Sequence, residues 1–374
     1  MNKWEKEVLG YLLDSEEETI IDLEKQYKKA LNDINNKVKA FQAEIDLLDA
    51  ALESEGLNDK AKEILKTQRR SKAYQKQFQE SLQKQVAAIL DNLQSQNYST
   101  IEEYLKDTYN EAYVGSEYIL AQQGIPMITP IDQAAAVKAI LTDSKISDGL
   151  YSALGVDVGK LKKTISAEIT RGIASSLAYA DIARNINNVA KAGLSNAKRI
   201  VRTEGHRIQQ ASWHDSAVNA KAHGADLVRK WSSVLDGKTR PVHRMLDGQI
   251  REVDEPFSAG GMTAMAPGYF GIAAQDCNCR CIARSIPRIL ADGGFVKMDN
   301  FTKEVRSFES PKDYEDFKKK YWSKENIDYM NYVDSLEKRY GTKDFGKLLG
   351  LMTDMEYEHF KKLEDASPMW KKDA

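Results

Sequence analysis

The spacing of apolar residues in the first part of the chain restricts that part to long amphipathic helices. From residue 20 to residue 52, apolar side chains recur at steps of three and four residues, which is coiled-coil spacing with one extra residue near Tyr27. These residues are Ile20, Leu23, Tyr27, Leu31, Ile34, Val38, Phe41, Ile45, Leu48 and Leu52. Charged and amide side chains lie between them, so one helix face is predicted to be buried and the other solvated.

A second helix is predicted to pair with the first. Gly56 and Asn58 interrupt the pattern between residues 54 and 60. Helical spacing then resumes at Tyr74, Phe78, Leu82, Val86, Ile89 and Leu93. We interpret residues 18–95 as an antiparallel helical hairpin, with an oligomeric coiled coil as the alternative.

The length and proline content predict several segments that are mostly helical. A chain of 374 residues exceeds one ordinary compact core, and its 8 prolines leave long stretches free to form helix. We therefore predict a predominantly helical α+β protein. Its predicted segments are an N-terminal helical arm (1–125), a locally basic helical region (126–198), a small α+β domain (199–287) and a helical C-terminal tail (288–374).

The α+β domain is predicted from a change in sequence texture near residue 227. Short β-branched or alternating segments there are separated by turn signals such as Asp236-Gly237. Residues 256–275 contain no charged residue but four glycines and two prolines. This composition predicts a long loop without regular structure.

The net charge of −2 does not predict general attraction to nucleic acid, so any DNA contact needs a local patch. Residues 157–207 hold ten basic and four acidic residues, a local charge of +6 that could face DNA phosphates, an acidic protein or water. No apolar run approaches the ~20 residues that span a bilayer. The first residues turn acidic before any signal-like run, so we expect no membrane segment and synthesis in a cytoplasm.

Five short motifs follow one another in order between residues 199 and 283. They are Arg202, Thr203 and Glu204 on a predicted helix; Trp231 on a strand; Asp236, Thr239, Arg240 and His243; Asp247 and Gly248; and Cys277, Cys279, Arg280 and Cys281. Each motif alone is weak, but five in this order within ~85 residues are fairly specific. Across residues 160–287 the chain resembles the phage head morphogenesis family, the Mu F-like proteins.

The resemblance implies a minor capsid protein of a tailed bacteriophage, located in the virion, in the head interior or at the portal vertex. It implies the portal protein and capsid or scaffolding proteins as partners, and roles in procapsid assembly, DNA packaging or ejection. The alternative is an effector, nuclease-like or another enzyme, packaged in the head and delivered with the genome. Some relatives carry a toxin or ADP-ribosyltransferase domain after this unit, which the short helical tail here does not resemble.

A structural role is predicted for two residues of the motif set. Arg202 and Glu204 would tie their helix to the turn that carries Asp236 and Arg240, fixing the small domain. The alternative is a solvated ion pair with ordinary polar packing.

The cysteines raise the question of a metal site. All three lie within five positions, which is not the spread of a disulfide framework. If residues 277–281 are extended, Cys277, Cys279 and Cys281 share one face and could bind zinc together with His243. The spacing is tighter than usual for zinc, and some relatives have C-x-x-C where this chain has Arg240 and His243. Reduced thiols packed in a core, with no cofactor, are therefore the alternative.

Enzymatic activity is not predicted. Cys279 or Cys281 could form a nucleophile–base–acid trio with His243 and Asp247. The sequence has no nucleophile elbow, phosphate-binding glycine loop or H-E-x-x-H motif to accompany such a trio.

Overall fold

The computed structural model describes residues 3–53, 58–70, 72–125, 130–141, 161, 163–165, 167–168 and 179–341. The helices are α1 (Lys3–Glu53), α2 (Asp59–Arg70), α3 (Lys72–Gln122), α4 (Gln133–Leu141), α5 (Tyr179–Ala222), α6 (Pro241–Leu246), α7 (Ala273–Asp276), α8 (Pro311–Tyr321) and α9 (Lys324–Tyr340). The strands are β1 (Leu227–Ser232), β2 (Ile250–Glu252), β3 (Phe257–Ala259), β4 (Met262–Ala264), β5 (Ile282–Pro287), β6 (Phe295–Met298) and β7 (Val305–Phe308). The predicted fold class, predominantly helical α+β, is confirmed.

The chain forms two compact units that are discontinuous in sequence. The first comprises Met1–Tyr11, Tyr109–Ala135 and His206–Ala374, and the second comprises Leu12–Thr108 and Ala136–Gly205. The sequence predicts four consecutive segments instead. The difference arises because α1, α3 and α5 each contribute residues to both units.

Three long helices build the second unit. Helices α1 and α3 run antiparallel, with Gln26 Nε2 donating to Thr100 Oγ1 at 2.8 Å. Helix α5 lies alongside α1, where Lys198 pairs with Glu24. The predicted seam residues Ile20, Leu23, Tyr27, Ile34, Val38, Leu82, Val86 and Leu93 are buried. Five further seam side chains lie outside the described part of the structure: Phe41, Ile45, Leu48, Tyr74 and Phe78. None of the described helices is long and apolar enough to span a membrane.

The first unit contains a three-stranded antiparallel sheet with strand order β2-β1-β5. Trp231 on β1 lies opposite Ala283 on β5, and Val228 lies opposite Glu252 on β2. Helix α5 is joined to the sheet through Gln210 Oε1, which accepts a hydrogen bond from the Ala283 backbone N–H at 2.8 Å. The motifs from Trp231 to Cys281 therefore surround one small sheet backed by the part of α5 that begins at His206.

Residues 256–275 contain regular structure, contrary to the predicted loop. Strands β3 and β4 form a hairpin in which Ala259 pairs with Met262. Gly260 and Gly261 between them both have positive φ, at 57° and 74°. Two such residues form the tight turn that matches strand twist, so the glycines create the hairpin rather than prevent structure. Helix α7 begins at Ala273, close to the end of the same segment.

The sequence predicts a helical tail for residues 288–374, but the described part of this segment also contains strands. Strands β6 and β7 form a second antiparallel hairpin, and helix returns only at Pro311, where Ser310 Oγ accepts from the Asp313 N–H. Tyr314, Tyr321 and Met330 of this segment pack with Leu235 and Phe308 in one buried cluster. Residues 342–374 lie outside the described residues.

Two helical glycines provide a matched test of packing between α1 and α3. A Cβ atom on Gly115 would overlap the Val8 side chain, whereas a Cβ on Gly10 has no neighbour within 4 Å. We expect Gly115→Ala to lower the free energy of unfolding by about 1–3 kcal/mol through overpacking. Gly10→Ala should leave it unchanged or raise it by about 0.5–1 kcal/mol. Urea unfolding measures both, and equal effects from the two changes would contradict this packing.

A second test concerns His214 on α5. Burial, with a smaller contribution from the charge of Arg229, lowers the pKa of His214 to about 3. Below about pH 6.5 the unfolded chain binds a proton here that the folded chain does not, so stability falls as the pH falls from 6.5 towards 3. His214→Gln should reduce the slope of unfolding free energy against pH by about 1.4 kcal/mol per pH unit. His223→Gln, at an exposed position, is the control, and an unchanged slope in His214→Gln would refute the assignment.

Candidate functional site

Trp231 forms the centre of the small sheet domain. Its side chain is fully buried among Leu246, Phe257 and the thiols of Cys279 and Cys281. Its ring meets that of Phe257 edge-on at 5.2 Å between centroids. The indole N–H, which needs an acceptor when buried, donates to Ser233 Oγ at 3.0 Å. The tryptophan therefore determines the positions of both the apolar core and a nearby hydroxyl.

Asp236 organises the turn that follows β1. Its Oδ1 accepts from the backbone N–H groups of Lys238 and Thr239, both at 3.0 Å. Its Oδ2 accepts from Arg280 Nη1 at 2.6 Å. Thr239 Oγ1 donates to the Val234 carbonyl at 2.6 Å, which closes the turn. Two predicted signature residues, Asp236 and Arg280, thus connect segments that are 44 positions apart.

Arg240 holds the segment that leads into the cysteines. Its guanidinium donates to the carbonyl of Gln275 at 2.9 Å and also to the carbonyl of Cys277. The sequence assigns Arg202 to this same turn, but Arg202 Nε instead pairs with Glu16 Oε1 of α1, at 3.5 Å. That correction follows from helix packing, because α1 lies beside α5 and offers the nearer carboxylate. Thr203 and Glu204 are buried on α5.

Asp247 is the buried anion of the domain. Its carboxylate accepts from Lys297 Nζ at 2.7 and 2.8 Å, and from the Ser233 backbone N–H at 2.6 Å. Tyr314 also donates to it. Burial lowers the pKa of Lys297, against the opposing effect of the Asp247 charge. Gly248 follows with φ of 85°, a conformation that favours glycine, and its N–H donates to the Trp231 carbonyl at 2.9 Å.

Sequence reasoning missed the partners of Asp247. Tyr314 and Tyr321 are buried on one side of α8, so the seven-residue spacing could have indicated Tyr314 as a core residue. Lys297 sits on a four-residue strand and has no local signal, because lysine is usually exposed. Only the tertiary structure reveals it as a buried cation.

His243, Cys279 and Cys281 come together behind this sheet. His243 Nδ1 lies 3.2 Å from Cys281 Sγ and 3.7 Å from Cys279 Sγ. The three donor atoms lie within 4.8 Å of one another, and all three residues are buried. Cys281 Sγ also donates to Ser233 Oγ at 3.3 Å. The arrangement can bind a metal ion or pack as reduced thiols.

Cys277 lies outside this cluster, although the sequence groups it with the other two cysteines. The sequence-based grouping requires an extended segment, but Asn278 has φ of 51°, in the left-handed region. A left-handed residue breaks the alternation of strand side chains, and β5 begins only at Ile282. The structure thus brings together three of the four predicted ligands.

Burial and mutual hydrogen bonds shift the pKa values of the two thiols in the histidine–thiol cluster, and burial also closes the cluster to solvent. Burial raises the pKa of the Cys281 thiol, but hydrogen bonds from Cys279 and His243 outweigh burial and lower it to about 5. The pKa of Cys279 is raised, chiefly by its hydrogen bond with Cys281. At most 5% of any of the three residues is exposed, so a large substrate cannot reach them. Asp247, the acid of the nucleophile trio considered from sequence, is engaged by Lys297 instead.

The ion pair of Asp247 gives a direct stability test. Asp247→Asn leaves the buried ammonium of Lys297 without its counter-charge, so we expect the free energy of unfolding to fall by about 3–5 kcal/mol. Asp254→Asn is the matched control, because Asp254 pairs with Lys221 at an exposed site and should be nearly neutral. Chemical denaturation measures both, and similar losses would show that Asp247 is not the structural anion.

Comparison with known proteins identifies the same family as the motifs do. Residues 163–284 match the family model described as Phage Mu protein F like protein. The chain is 29% identical over 317 residues to NAD(+)--arginine ADP-ribosyltransferase EFV of Enterococcus faecalis (strain ATCC 700802 / V583), covering 83% of this chain and 59% of that protein. It is 32% identical over 206 residues to minor head protein GP7 of Bacillus phage SPP1, covering 54% of this chain and 66% of that protein.

The chain therefore spans less than two thirds of the length of either relative. No solved structure gives a significant match. The matched region, residues 163–284, contains the whole of α5 and the whole three-stranded sheet apart from the last residues of β5. Residues 163–284 of the chain therefore form a domain of the phage Mu F-like family.

Proposed function

We propose that this chain is a minor head protein of a tailed phage, acts in head morphogenesis, and associates with the portal or inner capsid. The observation that carries the proposal is its similarity to the minor head protein of phage SPP1, at 32% identity over 206 residues. Portal association and roles in packaging or ejection are the finer part of the proposal, and they are what the resemblance of the motif set implies.

The use of the signature residues supports a structural role. Asp236 and Arg280 hold a turn, Arg240 holds the cysteine segment, and Asp247 holds the β6–β7 hairpin through Lys297. Each of these charged side chains makes its contacts inside the domain. A catalytic group would instead need to reach a substrate, and the buried histidine–thiol cluster does not.

The disposition of basic residues favours a protein partner over DNA. Within the basic segment, Lys198 pairs with Glu24 and Arg202 pairs with Glu16. Arg207 is buried and donates to Tyr269. Burial therefore removes Arg207 from a DNA-facing surface, and Glu24 and Glu16 offset the charges of Lys198 and Arg202. Residues 157–160, 162, 166 and 169–178 of this segment lie outside the described residues.

A co-expression experiment tests the proposal. The full chain is produced with the portal and capsid proteins of the same genome, and the tagged portal is captured at physiological salt. We expect the chain to co-purify in a defined ratio. Asp247→Asn, assayed below its unfolding temperature, should show weaker capture than the exposed control Asp254→Asn if the sheet domain contributes to the contact.

Two results would sink the head-protein proposal. One is the absence of this chain, by mass spectrometry, from purified virions of the phage that encodes it. The other is capture by neither portal nor capsid while DNA is bound with a steep dependence on salt.

An effector packaged in the head is the second candidate function. The specific observation in its favour is the similarity to a protein named as an NAD(+)-dependent arginine ADP-ribosyltransferase, which extends over 83% of this chain. The test is incubation with labelled NAD⁺ and an arginine-rich acceptor protein. Under the head-protein proposal no label is transferred; transfer that survives repurification would replace that proposal with the effector.

A further inference from the structure

We infer that His243, Cys279 and Cys281 form a zinc site with three protein ligands. The inference is independent of the head-protein proposal, because it rests on the geometry of these side chains alone. It also differs from the four-ligand set that sequence spacing suggests, because Cys277 is excluded.

The donor separations match tetrahedral zinc. With Zn–S bonds of about 2.3 Å and Zn–N bonds of about 2.0 Å, neighbouring ligand atoms lie about 3.5–3.8 Å apart. His243 Nδ1 is 3.2 Å from Cys281 Sγ and 3.7 Å from Cys279 Sγ. The three donors lie within 4.8 Å of one another, so shifts of a few tenths of an ångström to one ångström would complete the geometry.

The ligands are held in place by three separate parts of the fold. The carbonyl of His243 accepts from Ser233 Oγ at 2.7 Å and from the Asp247 N–H at 3.1 Å, which fixes the end of α6. The Cys279 N–H donates to the Asp276 carbonyl at 3.2 Å, at the end of α7. Cys281 directly precedes β5. Ligands that are ordered before the metal arrives lose little conformational entropy on binding it.

The charge balance of the site suits a buried dication. Two thiolates and a neutral imidazole around Zn²⁺ carry no net charge, so the buried cluster is neutral once loaded. No carboxylate of the described residues belongs to the cluster. A harder cation such as Mg²⁺ or Ca²⁺ would need oxygen ligands, which this site does not supply.

The described cluster supplies three protein ligands. No fourth histidine, cysteine, aspartate or glutamate in the described ranges lies within reach of all three donors. Ser233 Oγ is 3.3 Å from Cys281 Sγ, but it already accepts from the Trp231 indole and donates to the His243 carbonyl. Since the ligands are buried, the ion would stabilise the domain rather than act on a large substrate.

Metal content and cobalt spectroscopy test the site on the full chain. The protein is purified with added zinc, passed through a desalting column, and analysed for zinc per chain. A sample stripped of metal is then titrated with Co²⁺, which reports tetrahedral thiolate ligation by its visible and charge-transfer absorption. We expect one zinc per chain and a two-thiolate cobalt spectrum.

Substitutions identify the ligands. Cys279→Ser, Cys281→Ser and His243→Gln should each weaken Zn²⁺ binding by about tenfold or more. Cys277→Ser is the matched control: a cysteine of the same segment, outside the cluster, whose loss should leave zinc content and the cobalt spectrum unchanged. Removing zinc from the wild type should lower its melting temperature, and adding zinc back should restore it.

Three results would overturn the inference. Wild-type protein that neither retains zinc nor gives a cobalt spectrum would show that the cluster is packed thiols only. Equal loss of zinc in Cys277→Ser would show that the ligand set is wrong. A disulfide between Cys279 and Cys281, found in protein purified with added zinc and without reductant, would show that the two thiols are a redox-active pair and not zinc ligands. If a ligand variant fails to fold, the wild-type cobalt spectrum alone decides.

Discussion

The buried ion pair between Asp247 and Lys297 is the interaction on which the small domain depends. A carboxylate that is fully shielded from water is stable only with a close counter-charge and further hydrogen bonds, and Asp247 receives both. The pair joins the turn before β2 to the β6–β7 hairpin, and Tyr314 adds α8 to the same centre. The β6–β7 hairpin and α8 are therefore part of the domain and not an appendage to it.

A second set of contacts orders the opposite end of the domain. Asp236 holds both its own turn and Arg280, while Arg240 holds two carbonyls next to the cysteines. These contacts bring the segment before β5 against α6, which places His243 beside two thiols. The histidine–thiol cluster is thus a consequence of polar contacts around it, and its enclosure is what makes a structural ion a better match than a nucleophile.

The Mu F-like domain at residues 163–284 accounts for the motif order without assigning each residue a role. Two relatives with different names align with this chain, and each extends well beyond the aligned part. The family model covers the helix-backed sheet unit at residues 163–284, so the charged motif residues are most simply understood as the framework of that unit. What each whole protein does then depends on additional sequence and on its partners.

The sequence by itself determined the long helices and the family of the sheet domain, because helix faces and short motifs are written in local spacing. The burial of Leu23 and Leu82 follows from that spacing. Tertiary structure alone decided that Lys297 meets Asp247 and that Cys277 leaves the thiol cluster. The first is a contact across 50 positions that packing creates, and the second depends on one left-handed residue, Asn278, which side-chain alternation does not anticipate. Non-local pairing and single backbone conformations are set by the whole fold, and no local pattern encodes them.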